Sequence, residues 1–350
     1  MNTSSWRILL KIAFTFTGTL IGAGFASGQE LFQFFITYGE LGIIGIFFTG
    51  ILFAWLSYIL LSISSRFQLS SYHDLVKFLC GKTLTPFFEY TLCCFWFTVL
   101  AIMLAAAGDV AENLLFMEPL PCQIFFCLLI VLAAGKGISG ITKINLWVTP
   151  FLAVVILAVS INSLQYHNFM IHTPPLTALQ ALQPAPHWLL SCLLYASYNL
   201  ALGAAILVPL GSLTRCNTSH KYGSILGSFL LTCLAFLITI ALLIHAPHII
   251  ADPLPMLTIS CSQNQTHTAL YTAAFIIAMF TTATSCLYAS ATKLSSTLSI
   301  PYLICLIFII LAAFSCSGIG FSQLIARLFP FFGYVSLVLF TRMLYKYIYH

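Results

Sequence analysis

The segment Gly18-Thr-Leu-Ile-Gly-Ala-Gly-Phe-Ala-Ser-Gly-Gln-Glu30 puts four glycines, a serine, a glutamine and a glutamate into an otherwise apolar stretch. Glycine permits backbone that is not helical. Where such backbone lies in hydrocarbon its polar groups must line a cavity or meet a ligand, because no water is there to satisfy them. A half-helix starting after the break would point its first amides into that site, which suits a carboxylate. Gly22, Ala23, Gly24, Phe25, Ser27, Gly28 and Gln29 are therefore candidate substrate-lining residues. The competing reading is helix packing, since Gly18/Gly22 and Gly24/Gly28 both form GxxxG pairs. Packing alone leaves Gln29 and Glu30 unexplained. The spacing is not GxGxxG and no strand precedes it, so a nucleotide site is excluded.

Two further segments carry polar chemistry inside apolar runs. Tyr195, Ser197, Tyr198 and Asn199 precede Gly203, with Pro209 and Gly211 beyond. Tyr195, Tyr198, Asn199 and Gly203 are the expected counterpart of the first break, Asn199 offering both donor and acceptor. A lone glycine and asparagine in a membrane helix are also common without any break. Thr281, Thr284 and Ser285 share a helical face by i, i+3, i+4 spacing, with Thr282 beside them. Their hydroxyls either face a ligand or bond their own helix backbone. No HExxH, GxSxG, Walker or CxxC pattern occurs, and the nine histidines show no ligand spacing. The chain is expected to be no enzyme, to carry no cofactor and to bind no nucleic acid, its cations being spread in ones and twos. The twelve cysteines lie mostly in apolar runs and read as small buried hydrophobes.

The elements that must hold these residues follow from composition. Of 350 residues, 13 are Lys or Arg and 8 Asp or Glu, 60% are hydrophobic and mean hydropathy is +1.02. So few charges could not cover a soluble surface, and disordered chains are charged and poor in apolar residues. Apolar runs near the length of a membrane span recur throughout. They fall near 7–37, 40–64, 85–116, 121–134, 144–164, 187–210, 220–246, 267–291, 300–315 and 320–346. With the N-terminus cytoplasmic, twelve of the thirteen Lys and Arg residues fall on the inner side, Arg327 excepted. Ten spans with both ends cytoplasmic are therefore expected, in a multi-pass protein of the cell membrane. A cleaved signal peptide is the competing reading of the N-terminus, opposed by the apolar run resuming at Leu31–Ile36. The spans divide into halves of five, 7–164 and 187–346, joined by a segment with Pro174, Pro175, Pro184 and Pro186. An odd count per half forces the second half in upside down, the inverted repeat of many secondary transporters.

Depth singles out three charges. At about 1.5 Å per residue from the outer span ends, Arg327 and Asp109 lie roughly 10 Å deep and Glu30 roughly 12 Å deep. Charges at this depth call for pairing or a wet vestibule. Glu30, Asp109 and Arg327 are thus expected to form an outer gate, Arg327 bridging to one of the acids. The alternative is that Arg327 snorkels to the surface.

IGAGFASGQE followed by LFQFF resembles the first-helix signature of the YkvI-like bacterial membrane proteins, distant relatives of LeuT-fold amino-acid transporters. YASYNLALGAAILVPLG in span six, DPLPML after span seven and FPFFGY in span ten extend the resemblance over most of the chain. It implies a five-plus-five inverted repeat of the amino acid–polyamine–organocation group, with helices 1 and 6 broken at the midplane. It implies spans 1, 2, 6 and 7 as a bundle rocking on a scaffold of 3, 4, 8 and 9. It also implies a sodium site in which Thr281, Thr284 and Ser285 join carbonyls near Gly18 and Ile21; oxygen ligands of this kind suit a hard cation. Relatives also close their outer side with an ion pair between spans one and ten; here the signs are swapped. The expected activity is sodium-coupled transport of a small solute, an amino acid, by alternating access. The alternative is an amino-acid-binding sensor or receptor subunit that does not transport.

Overall fold

The computed structural model describes residues 3–166, 182–214, 216–249, 252, 254–317 and 321–349, and the regular structure among them is all helical. The first apolar stretch is divided into α1 (Thr3–Leu20), α2 (Ala23–Ser27) and α3 (Gln29–Phe34), followed by a 3-10 turn at Ile36–Tyr38. Then come α4 (Glu40–Arg66), α5 (Tyr72–Asn113), α6 (Pro119–Ala134) and α7 (Gly137–Tyr166). The second half contains α8 (Trp188–Leu213), α9 (Asn217–Ile249), α10 (Pro255–Cys261), α11 (Gln265–Leu298), α12 (Tyr302–Cys316) and α13 (Phe321–Tyr349). Seven described helices, α4, α5, α7, α8, α9, α11 and α13, are long and apolar enough to cross a membrane. The chain is a multi-pass integral membrane protein. The other three expected spans correspond to the interrupted first stretch and to α6 and α12. At 16 and 15 residues these two helices reach only about 24 Å, short of a hydrocarbon core of about 30 Å. The loop after span seven holds a helix, α10, that the sequence did not announce.

Local signals explain the ends. Ser71 caps α5 in a reciprocal capping box with Asp74. Ten residues after Ser71, Gly81 (φ 69°, ψ 177°) interrupts it, so Tyr72–Cys80 forms a short helix apart from the membrane-crossing continuation. The third span, expected from residue 85, thus has an added helical lead. Gly39 (φ 60°) turns the chain from the first stretch into α4.

α8 is the hub. Nearly every residue from Ser191 to Gly211 is buried, and the helix packs on α4, α13, α1 and α5. Its close crossings use small residues, as membrane helices do in the absence of a hydrophobic driving force between them. A Cβ on Gly211 would lie 2.9 Å from Leu61 O of α4, and one on Gly333 of α13 3.0 Å from Leu194 Cβ. Around this hub α9 packs on α1 and α4, and α11 on α5, α7, α12 and α6.

One expectation of consequence fails: the expected midplane break of helix 6 does not exist. α8 is continuous through Tyr198, Asn199 and Gly203. Asn199 Nδ2 donates to Tyr195 O of its own helix at 3.0 Å, so the amide is used inside the helix rather than to replace a missing bond. Gly203 is a packing glycine, its Cβ position 3.1 Å from Leu20 Cδ1.

One ionic cluster pins the fold. Glu89, 4% exposed inside α5, accepts from Lys293 Nζ of α11 through Oε2 and pairs with His73 Nδ1 through Oε1. It thereby ties the short lead of α5 to its membrane part and to α11. Removing one member of a buried pair strands the other charge, at a cost of about 3–5 kcal/mol, whereas removing both is far milder. Lys293→Met is therefore expected to lower the thermal midpoint in detergent strongly. Adding Glu89→Gln should recover most of the loss. A Lys293→Met protein as stable as the parent would disprove the pairing.

Candidate functional site

The site forms where the first stretch leaves the helix. α1 ends at Leu20; Ile21 N still reaches Thr17 O at 2.9 Å, but Gly22 is extended (φ −97°, ψ −175°). One turn of helix follows, closed by Ala26 N to Gly22 O at 2.9 Å, before Gly28 enters the left-handed region (φ 81°, ψ −5°). L-residues with side chains rarely adopt that conformation. The expectation of non-helical backbone throughout Gly22–Gly28 is thus corrected. The chain leaves the helix at Ile21–Gly22 and again at Gly28, and Ala23–Ser27 is helical. The expected half-helix with anion-binding amides is only five residues long, too short for a developed dipole.

The backbone groups released by these breaks are met locally and from α11 and α8. Tyr271 OH donates to Ala26 O at 2.6 Å, Ser27 Oγ to Gly24 O at 3.0 Å, and Ser191 Oγ to Phe34 O at 2.7 Å. Gln29 N donates to Ser27 Oγ at 3.2 Å.

Glu30 is the chemical centre. It is 5% exposed, and Tyr198 OH donates to its Oε2 at 2.6 Å. Its carboxylate folds back over Gly24, where a Cβ would lie 2.0 Å from Glu30 Oε1. Gly24 is therefore glycine because the acid occupies the place of a side chain. Aromatic rings close around the pair: Tyr198 meets Phe34 at 5.4 Å and Phe329 at 5.0 Å between centroids, and Tyr195 meets Phe35 at 5.0 Å. A void of only about 10 Å³ lies beside Phe25, Phe53 and Tyr195.

Of the three residues expected in the gate, Glu30 is engaged by Tyr198 of α8. Asp109 lies at an exposed position on α5, and the Arg327 side chain lies outside the described residues.

The hydroxyls of α11 divide as well. Thr281 Oγ1 donates to Ala278 O at 3.0 Å, Thr284 Oγ1 to Phe280 O at 2.7 Å and Ser285 Oγ to Thr281 O at 2.9 Å. A donating hydroxyl keeps its lone pairs, so these bonds leave the oxygens able to face a cation. Thr282, passed over in the sequence, lies against the break: a Cβ on Gly22 would sit 2.9 Å from its Oγ1. That oxygen is buried and has no hydrogen-bond partner among the described residues. Gly18 faces α7, its Cβ position 2.2 Å from Thr149 Oγ1 and 3.1 Å from Asn145 Cγ. Thr149 Oγ1 donates to Phe14 O at 2.9 Å and Asn145 Nδ2 to Thr19 Oγ1 at 3.1 Å. Asn145 and Thr149 were also missed; their i, i+4 spacing inside an apolar run was the available signal. Among the described residues no cluster of three His, Cys, Asp or Glu is placed to hold a metal ion.

No protein-family model matches the chain. It is 29% identical over 339 residues to a Bacillus subtilis (strain 168) protein, the uncharacterized membrane protein YkvI, across 96% of this chain and 95% of that one. In three dimensions it resembles a Na⁺-coupled sialic acid symporter in a substrate-bound outward-open state. The TM-score is 0.69 at 14% identity, over 95% of this chain and 78% of that one. It also resembles MhsT in complex with L-phenylalanine, with a TM-score of 0.65 at 17% identity, over 95% of this chain and 87% of that one. The chain has an all-α, multi-span membrane fold resembling that of the LeuT-like transporters.

Proposed function

We propose that the protein is a secondary active transporter of an amino acid, coupled to sodium and working by alternating access. In this reading the helices make ten spans in two inverted repeats of five, 7–164 and 187–346, with both termini in the cytoplasm. The observation that carries it is Glu30, a buried acid held by a tyrosine over a backbone break within the membrane. An ionisable group at such a place is functional by default. With aromatic faces around it and no cation bonded to it among the described residues, the carboxylate suits the ammonium group of an amino acid. Transport by the symporters of like fold supports the same conclusion.

The residues also fit a sodium ion. Thr282 Oγ1 lies unpartnered and buried beside Gly22, next to the hydroxyls of Thr281 and Ser285 and facing a stretch with carbonyls outside the helix. A neutral set of hydroxyl and carbonyl oxygens is what a hard monovalent cation takes. Thr281, Thr282 and Ser285 of α11 with the carbonyls near Gly18 and Ile21 would hold it, and Thr284 would support them.

The deciding experiment is uptake of labelled amino acids into proteoliposomes with and without an inward sodium gradient. Gradient-driven accumulation is expected; saturable binding with no counterflow would instead make the protein a sensor. Gly24→Ala places a methyl where Glu30 Oε1 lies, so substrate affinity should fall at least tenfold while membrane insertion and elution volume stay normal. Unchanged affinity would remove Glu30 and Gly24 from the site. Thr282→Val keeps the shape and deletes the hydroxyl. If Thr282 binds sodium, the concentration for half-maximal uptake should rise about tenfold or more. If the hydroxyl is merely buried and unsatisfied, its removal should stabilise the protein by about 1 kcal/mol and leave sodium dependence unaltered.

A further inference from the structure

One edge of the protein is thinner than the rest. α6 and α12, of 16 and 15 residues, lie side by side, with Tyr302 OH donating to Ala134 O at 2.9 Å. Both pack inward on α5 and α11. Their apolar lengths are set by what flanks them. Glu118 and Lys136 bracket α6, and Pro301 opens α12 while Ser315 and Ser317 close it. Neither helix contains an Asp, Glu, Lys or Arg. The neighbouring α7 and α11 run for 30 and 34 residues. A long helix fits the hydrocarbon by tilting. A helix of about 24 Å in a core about 30 Å thick has no such recourse, so the lipid beside it must thin.

The outward faces of these two helices match. Ile124, Phe125, Leu128, Leu129 and Leu132 of α6 are exposed. Leu303, Ile304, Ile307, Phe308 and Leu311 of α12 are exposed with the same spacing: i, i+1, i+4, i+5 and i+8. Each helix therefore presents rows at i±4, the ridges with which packed helices interlock. At about 100 Å² apiece the ten side chains offer roughly 1,000 Å². Each partner in a stable interface of standard size buries about 800 Å². Area alone selects nothing in a bilayer, because lipid tails cover apolar surface as well as protein does. α4 exposes Ile44, Ile51 and Trp55 in the same way, but along 27 residues that cross the whole core. The rows on α6 and α12 also lack the small residues with which membrane helices approach closely. Length is what distinguishes this edge. Two thin edges placed together remove the strip of lipid that each would otherwise thin, and association is one of the ways a short span relieves mismatch.

We infer that a second copy of this chain docks on the α6–α12 edge. Both copies enter the membrane the same way up, so the dimer is two-fold about an axis along the membrane normal, with the same patch used on each side. The contact is a four-helix one, α6 and α12 from each copy, and its uncharged faces bring no like charges together. In the transport reading α6 and α12 belong to the scaffold, so the dimer joins two scaffolds and leaves the bundle of α1, α4, α8 and α9 free to rock. The docking itself does not rest on that reading.

The test reconstitutes the full chain, singly labelled, at low density in vesicles of dimyristoleoyl, dioleoyl or dierucoyl phosphatidylcholine, and counts bleaching steps per spot. Dimers are expected, with association at least tenfold tighter in the thick dierucoyl bilayer than in the thin dimyristoleoyl one. Leu128→Ala/Phe308→Ala truncates two side chains that are each more than half exposed, and should weaken association at least tenfold. Ile51→Ala on α4 should leave it unchanged. p-Benzoylphenylalanine in place of Phe308 should crosslink copy to copy, and in place of Ile51 should not. Should the double variant misfold, the thickness series and the crosslink, both made without it, still decide. Single-step bleaching at every thickness would show a monomer with lipid along this edge and overturn the inference. So would dimers indifferent to thickness, dimers that a folded double variant forms as tightly as the parent, or dimers that crosslink from position 51 and not from 308. Thickness-dependent dimers that show no uptake of any amino acid would count against the transport reading and leave the interface standing.

Discussion

A helix interrupted inside a membrane exposes amides and carbonyls that lipid cannot satisfy, and the architecture around residues 21–28 answers that constraint. Each unmet group in hydrocarbon costs several kcal/mol. Ser27 and Gly24 meet part of the demand within the turn, Tyr271 of α11 reaches Ala26 O, and Ser191 of α8 reaches Phe34 O. The helices that supply these bonds are the ones that pack on the break, so satisfaction and packing fix the same geometry. Glu30 exploits the arrangement: with Gly24 lacking a side chain, the carboxylate has a place beside the backbone and one tyrosine to hold it.

The two halves meet this constraint differently. The first stretch leaves the helix through an extended residue, Gly22, and breaks it again at Gly28, in the left-handed region. α8 has glycine only at Gly203 and Gly211, spaced too far apart for a double break, and it stays helical. The central site is thus one irregular segment laid against one rigid helix. The polar groups of α8 act as fixed side chains on a rod, Tyr198 toward Glu30 and Asn199 back to its own carbonyl.

How much of this was legible in the sequence depended on the kind of signal. Apolar run length marked the helical stretches, because lipid imposes it. The glycine cluster marked the break, because few residues other than glycine accept the torsion at Gly28. The break in α8 was expected by symmetry with the first half; symmetry of span count does not carry torsions, and the residues there do not require one. The depth of Glu30 gives distance along the membrane normal but not the face of the helix, and so its tyrosine partner, Tyr198, was not foreseen. Glu89 and His73 were invisible for a related reason. They are sixteen residues apart across a glycine interruption, and neither helical nor strand periodicity links them. Thr282 was passed over because i, i+3, i+4 spacing selected its neighbours, while the break turned out to lie on the adjacent face.

The burial of α8 has a consequence for how the chain is assembled. A helix wrapped on every side by protein cannot be completed when it leaves the ribosome. α1, α4 and α5 precede it and are ready to receive it, but α13, which packs Gly333 against Leu194, is made after it. Between those events one flank of α8, with Tyr198 that will finally face Phe329, stands against lipid. The wall around the central site is therefore closed by a span synthesised well after α8, and loss of α13 would open the core of the protein rather than trim its edge.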